Sequence, residues 1–234
     1  MKIRENKTVQ LRPCPADCGF WLESILDDRM MKYLWKCINK AKEVSICHKA
    51  RLAGNISESY QLEDTDGIFV TDTLQPLINE YIKINKNQHP HKITFTSNKP
   101  KVKLKLTVSD LWVNFQNKHE FNPPHSHDGM YSFVIWMKIP YDSEEQKKEK
   151  FLDGMDDGQK KPGTFYFEFV NMSGNLTNTT YPMNPNSEGT MLFFPSRLRH
   201  GVFPFYSCDE KRVSISGNLK YIFKYSNEPH HRKK

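Results

Sequence analysis

Arginine is scarce in this 234-residue chain: eight Arg stand beside 26 Lys, against 27 Asp plus Glu, for a formal charge of +7. A lysine-rich, arginine-poor balance reads as diffuse solubilising charge, not as the clustered guanidinium forks of a dedicated phosphate reader. No recognition helix or aromatic-basic motif accompanies the charge, so nucleic acid is not indicated as a partner. Long apolar runs are missing too. The longest is Phe133-Val-Ile-Trp-Met137, far short of a membrane span, and the opening MKIRENKTVQ has no apolar signal core. The expectation is a cytoplasmic protein with no membrane partner. The 11 glycines form neither GxGxxG nor GxxxxGK[ST], which removes the common nucleotide-binding loops. Five cysteines, Cys14, Cys18, Cys37, Cys47 and Cys208, are odd in number and irregular in spacing, as expected of reduced thiols. A zinc site built from the first four is discounted, because Cys37 falls on the apolar face of a helix. The sequons at Asn171, Asn175 and Asn178 are then incidental to a polar loop.

What is present is aromatic weight: 15 Phe, 10 Tyr and 4 Trp, enough for a folded core despite an apolar share of 37%. Three-and-four spacing of Leu22, Ile25, Leu26, Met30, Tyr33, Leu34, Cys37, Ile38 and Ala41 predicts a long helix from Leu22. A second helix is predicted to start at Asp72 as N-cap and to run through Leu74, Leu77, Ile78, Tyr81 and Ile82. From Val102 the period changes to two, with Val102, Leu104, Leu106 and Val108 alternating with Lys101, Lys103, Lys105 and Thr107. Further strands are predicted at 111–116, 131–138, 164–170, 190–194, 201–206 and 212–223. The expected fold is therefore mainly β with N-terminal helices on one side: an antiparallel sandwich or jelly roll. Residues 1–100 are read as a helical segment packing on the core, 101–225 as the core, and 226–234 as a basic tail. Two polar stretches, 141–162 and 171–188, read as long loops suited to lids or substrate contacts, or as solvated insertions.

Three of the nine histidines stand out. His125 and His127 lie in Asn122-Pro-Pro-His-Ser-His-Asp-Gly129, before an aromatic strand, and His200 follows Thr190-Met-Leu-Phe-Phe-Pro-Ser196. On a strand, residues two apart share a face, so the first pair can chelate. A third imidazole from a distant strand closes a facial set that leaves coordination positions for substrate and dioxygen. An HxH pair on an exposed loop would do none of this. In Arg212-Val-Ser-Ile-Ser216 the arginine shares a face with Ser214 and Ser216, opposite Val213 and Ile215. Facing the interior, such an arginine needs an anion, and its planar fork suits a carboxylate; on the wet face it is an ordinary surface residue.

These residues together resemble the iron(II)/2-oxoglutarate-dependent dioxygenases. The chain is most similar to oxygenases encoded by tailed phages of marine bacteria. The likeness is carried by Leu111-Trp-Val-Asn114, Glu120-Phe-Asn-Pro-Pro-His-Ser-His127, Ser132-Phe-Val-Ile-Trp136, Leu192-Phe-Phe-Pro-Ser196, His200 and Arg212-Val-Ser-Ile-Ser-Gly-Asn218. It implies a double-stranded β-helix, or jelly-roll barrel, with His125 and His200 as iron ligands. It also implies Arg212 with Ser214 as holders of the distal carboxylate of 2-oxoglutarate, and Asn114 and Ser132 as groups near the other carboxylate or behind the ligands. The implied reaction uses O2 as second cosubstrate, with ascorbate as a supporting reductant. It couples decarboxylation of 2-oxoglutarate to succinate and CO2 with hydroxylation of a C–H bond in an unidentified peptide, nucleobase or small molecule.

One position departs from the family pattern. Where its members usually carry Asp or Glu two residues after the first histidine, this chain has His127, with Asp128 one residue later. Three ligand sets follow: His125, His127 and His200; a slipped turn that recruits Asp128; or His127 as first ligand with Gly129 in the acid position and the site left open. The departure also admits a non-catalytic jelly-roll binding or structural module of a phage, or a cupin-like metal protein without cosubstrate. Arg212 with Ser214 separates these from an oxygenase, since neither needs an inward carboxylate clamp.

Overall fold

The computed structural model describes residues 12–16, 19–85 and 102–225. The strands are β1 (Arg12–Ala16), β2 (Gly19–Ile25), β3 (Glu58–Gln61), β4 (Val102–Gln116), β5 (Asn122–His125), β6 (Tyr131–Lys138), β7 (Phe165–Val170), β8 (Leu176–Tyr181), β9 (Thr190–Pro195), β10 (Arg199–Val202) and β11 (Arg212–Tyr225). The helices are α1 (Asp28–Val44), α2 (Gln75–Asn85) and the single turn α3 (Ser143–Gln146). All the pairing is antiparallel. One sheet runs β1-β2-β9-β6-β11-β4-β3 and the other β5-β10-β7-β8. Numbered within β4–β11, the central strands read first-eighth-third-sixth in one sheet and second-seventh-fourth-fifth in the other. That interleaving is the double-stranded β-helix.

Side-chain parity builds two cores. On β6, Phe133, Ile135 and Met137 face the helices while Val134 and Trp136 face the second sheet, and β9 divides Met191 and Phe193 from Leu192 and Phe194 in the same way. Helix α1 lays Met30, Leu34, Cys37, Ile38 and Ala41 on the outer face of the large sheet, and α2 adds Leu77, Ile78 and Tyr81. Full burial of each such Leu, Ile or Met contributes about 1.5–3 kcal/mol, so this seam fixes the helices to the sheet. The inner core joins Trp136, Phe165, Phe167, Leu192, Phe194 and Val202.

Several expectations need correction. The long helix starts at Asp28, not Leu22: Asp27 caps it by accepting from the Met30 N–H at 2.8 Å, and Leu22 is strand, paired with Phe193 of β9 and buried on the helix side while Trp21 is buried on the other face. Asp72 does not cap the second helix. Asp64 accepts from the Val70 N–H at 2.9 Å, a wide π-type turn spans Val70–Leu74, and Asp72 pairs with Arg29. The stretch 171–188 is not one loop, since its Thr-rich middle forms β8 on the edge of the smaller sheet. The predicted 201–206 strand lies earlier, at Arg199–Val202. The first hundred residues contribute strands as well as helices, with β2 extending the large sheet past β9 and β3 extending it past β4. The side chains of Lys101, Lys103 and Lys105, those of Cys14 and Cys18, and the tail 226–234 lie outside the described residues. Among the described residues no helix is long and apolar enough to cross a membrane.

Candidate active site

His125 ends β5 and His200 lies in β10, and the two are direct cross-strand partners. His127 follows two residues past the end of its strand, held by its backbone N–H to Ser196 O at 2.9 Å. The three rings converge, with centroids 4.4 Å apart for His125–His200, 4.9 Å for His125–His127 and 5.0 Å for His127–His200. One candidate ligand atom from each lies within 4.8 Å of the others, and among the described residues no other group could hold a metal in this way. His125 Nδ1–H donates to Pro123 O at 2.8 Å, and His200 Nδ1–H donates to Leu198 O at 2.9 Å. A carbonyl only accepts, so these bonds fix the tautomer and leave the Nε2 lone pairs free for a metal.

Burial keeps the imidazoles neutral. It holds His200 well below the ordinary histidine value, with His125 and His127 adding to the effect. It pushes His127 down to about 4, helped by His125 and opposed by Asp110 and Asp128. His125 is lowered mainly by burial, against the Pro123 carbonyl, with Arg199 lowering it further. Phe194 and Phe165 wall in His200, at 4.8 and 5.9 Å, and Trp112 meets His127 edge-on at 5.7 Å. His48 in turn stacks on Trp112 at 4.9 Å.

Asp128 is outside this cluster. Its side chain is 96% exposed and pairs with Arg197 at the surface. The reading that recruits it by a slipped turn does not fit, and His127 occupies the third corner instead.

The same cleft, which encloses about 110 Å³, reaches Arg212, Ser214 and Asn114. Arg212 is buried at the start of β11, on the face shared with Ser214 and Ser216, while Val213 and Ile215 join the helix-side core. Its Nη1–H donates to Gln116 Oε1 at 3.0 Å, but Nε and Nη2 are buried without a partner. Burial lowers its pKa, against the influence of Tyr141. Asn114 Oδ1 and Trp112 Nε1, both on cleft-lining residues of β4, are likewise unpaired. A guanidinium stranded in this way costs several kcal/mol unless an anion joins it. The cleft thus combines three neutral nitrogen donors with a buried guanidinium whose Nε and Nη2 are unpaired.

Ser132 is not brought to the cleft. Its hydroxyl donates to Asn218 Oδ1 at 2.7 Å and accepts from Ser196 at 3.0 Å, which places it in a buried polar knot beside the wall. Neither 141–162 nor 171–188 lines the cleft. The first is tied down elsewhere, with Gln146 accepting from the N–H groups of Tyr206 and Ser207. The mouth is lined instead by Arg51, Leu52 and Ala53, on a strap between α1 and β3 that no sequence signal singles out. Gln116 is also absent from the sequence reading, although two-residue parity from Asn114 places it on the inward face.

Residues 110–218 match the family described as "Putative 2OG-Fe(II) oxygenase". No curated protein matches the chain. Among solved structures, a Pseudomonas putida prolyl-4-hydroxylase is 15% identical, with 86% of this chain and 91% of that one covered and a TM-score of 0.46. A 2OG-Fe(II) oxygenase family oxidoreductase from Burkholderia pseudomallei is 11% identical over 91% of this chain and 73% of that one, with a TM-score of 0.41. A Trichoplax adhaerens prolyl hydroxylase, in complex with a peptide fragment of a hypoxia inducible factor, is 12% identical over 85% and 80%, with a TM-score of 0.45. At these scores the solved structures bear on no residue or activity of this chain, and nothing in the matches bears on a phage origin. Residues 110–218, the stretch that matches this family, carry the three histidines and Arg212.

Proposed function

We propose that this protein is an iron(II)- and 2-oxoglutarate-dependent dioxygenase that hydroxylates a C–H bond. The observation that carries the reading is the presence, in one cleft, of three convergent imidazoles and a buried arginine with two unpaired nitrogens. The donor set fits a divalent transition metal, since each imidazole is kept neutral and two have their Nε2 atoms freed by carbonyl anchors. Iron bound there supplies dioxygen activation coupled to the decarboxylation of 2-oxoglutarate.

The chain's own groups do the rest. His125, His127 and His200 would hold the metal. Arg212 takes the distal carboxylate of 2-oxoglutarate in its free Nε and Nη2 fork, and the Ser214 hydroxyl donates to the same group. Asn114, cross-strand partner of Ser214, lines the same cleft and orients the cosubstrate. Phe165, Phe194 and Trp112 add aromatic walls around these charges, which strengthens each pairing by limiting water.

The absence of a carboxylate ligand favours a second reading, a non-catalytic jelly-roll module. The stranded Arg212 counts against it, because a module without cosubstrate gains nothing from a buried, unpaired cation. Purified protein with Fe(II), ascorbate, O2 and 2-oxoglutarate is expected to release succinate without any prime substrate, and Arg212→Ala to end it. Failure of the wild type to bind 2-oxoglutarate in the millimolar range overturns the proposal.

A further inference from the structure

We propose that Gln116 is a positioning residue for Arg212: it holds the guanidinium by Nη1, turns Nε and Nη2 toward the cleft and, as a neutral amide, leaves the positive charge for the ligand. The proposal rests on the reading of the cleft as a 2-oxoglutarate site.

The geometry is fixed at both ends. Gln116 and Arg212 are cross-strand partners of β4 and β11, and each is only 2% exposed. Gln116 Oε1 accepts from Arg212 Nη1 at 3.0 Å, and its own Nε2 donates to Glu120 O at 2.6 Å. With both ends of the amide engaged, neither it nor the guanidinium can rotate without losing a buried hydrogen bond.

The chemistry of the partner is the informative part. Among the described residues, the other four arginines whose side chains form ion pairs all meet a carboxylate: Arg29 with Asp72, Arg51 with Asp110, Arg197 with Asp128, and Arg199 with Glu168. Those four are on the surface, where water would solvate them anyway. Arg212, the buried one, faces an amide. A carboxylate is close by, yet it points elsewhere: Glu120 accepts from the backbone N–H groups of Asn117 at 2.9 Å and Ser57 at 3.1 Å, and offers Gln116 only its carbonyl. An acid at position 116 would neutralise the fork before any ligand arrived. The amide orients the same nitrogens and leaves the charge unspent, which makes the distal carboxylate of the ligand the group that completes the pair.

The test is the near-isosteric Gln116→Glu, with Gln116→Met as a neutral variant that removes the acceptor, both checked for native circular dichroism. Binding of 2-oxoglutarate and of 2-oxopentanoate, which lacks the distal carboxylate, is measured on Mn(II)-loaded protein, together with KM and kcat for succinate release. Gln116→Glu is expected to weaken 2-oxoglutarate binding at least about tenfold, to leave 2-oxopentanoate binding and saturated kcat near wild type, and so to erase the preference between the two acids. Gln116→Met is expected to weaken 2-oxoglutarate less than the acid does. The inference is overturned if Gln116→Glu binds 2-oxoglutarate as wild type does, or weakens both acids equally. Arg212→Ala separates the two levels: if it loses 2-oxoglutarate while Gln116→Glu does not, the cosubstrate site stands and the role of Gln116 falls.

Discussion

His125 and His200 face each other across the β5–β10 ladder, with ring centroids 4.4 Å apart. Two of the three candidate ligands are therefore set by sheet register, which a loop could not hold as closely. The third, His127, lies past the end of β5 and depends on one backbone hydrogen bond to Ser196. Asp128, its neighbour in sequence, is turned out to Arg197.

This arrangement predicts opposite outcomes at adjacent positions. His125→Ala and His200→Ala should reduce metal affinity by more than the roughly 10–100-fold that loss of an outer partner costs. Asp128→Ala should leave metal stoichiometry and affinity unchanged and cost under about 1 kcal/mol, as expected of an exposed ion pair. Titration with Fe(II) or Mn(II) under anaerobic conditions reads both, and loss of metal in Asp128→Ala would restore the acid to the ligand set.

Arg212 should be a liability in the empty protein. The desolvation of a buried, half-paired guanidinium costs several kcal/mol, and Arg212→Met relieves it. The change strands Gln116 Oε1, which costs about 1–3 kcal/mol, so a net gain on the order of 1–2 kcal/mol in ligand-free stability is expected. In the same variant 2-oxoglutarate should no longer raise Tm, whereas it should in wild type. Thermal unfolding with and without the cosubstrate decides this, and a lower Tm for ligand-free Arg212→Met would show that the cation is already compensated.

The legibility of this fold in its sequence follows one physical rule. Where a strand is long and carries one apolar face, its parity is readable, which separates Arg212, Ser214 and Ser216 from Val213 and Ile215; that the arginine's face is the inward one shows only in its burial. Parity gives direction but not partner, so Gln116 opposite Arg212 needed the register. β5 carries Asn122-Pro-Pro-His125, whose prolines argue against a strand; it is tolerated at the edge of the smaller sheet. Leu22–Leu26 suits a helix by spacing, yet long-range pairing to β9 overrides it. The strap at Arg51–Ala53 has no periodicity, so only its packing reveals it.

Acid should destabilise the metal-free protein well before ordinary carboxylate titration. An unfolded histidine takes up a proton near pH 6.5. In the folded state burial delays this to about 4 for His127, holds His200 well below the ordinary histidine value and lowers His125 as well. The unfolded chain therefore binds more protons below about pH 6.5, and stability falls as pH drops from there toward 4. The charged groups facing the trio do not reverse the sign: Arg199 strengthens the effect at His125, and Asp110 and Asp128 only partly oppose burial at His127. Tm measured from about pH 7.5 to 4.5 in a chelator should decline over this window, and His200→Asn should flatten the decline. A level profile in wild type would mean that the rings are already charged when folded.

The strap that lines the mouth depends on Gly54. A Cβ there would overlap Asn122 Oδ1 and lie 3.0 Å from Phe121 O, so glycine lets the strap close onto the β5 segment without moving the Asn122 side chain, and there the Asn55 N–H donates to Phe121 O at 2.9 Å. Gly54→Ala must push the strap off or displace Asn122, an overpacking cost of about 1–3 kcal/mol. The damage should stay local, because Arg212, Gln116 and Ser214 are held by the register of β4 and β11 and not by the strap. Hydrogen exchange is expected to rise at Arg51, Leu52 and Asn55 in the variant while 2-oxoglutarate affinity stays at the wild-type value. Wild-type protection across the strap would show that the glycine is dispensable, and a loss of cosubstrate binding would show that the mouth and the clamp are one mechanical unit.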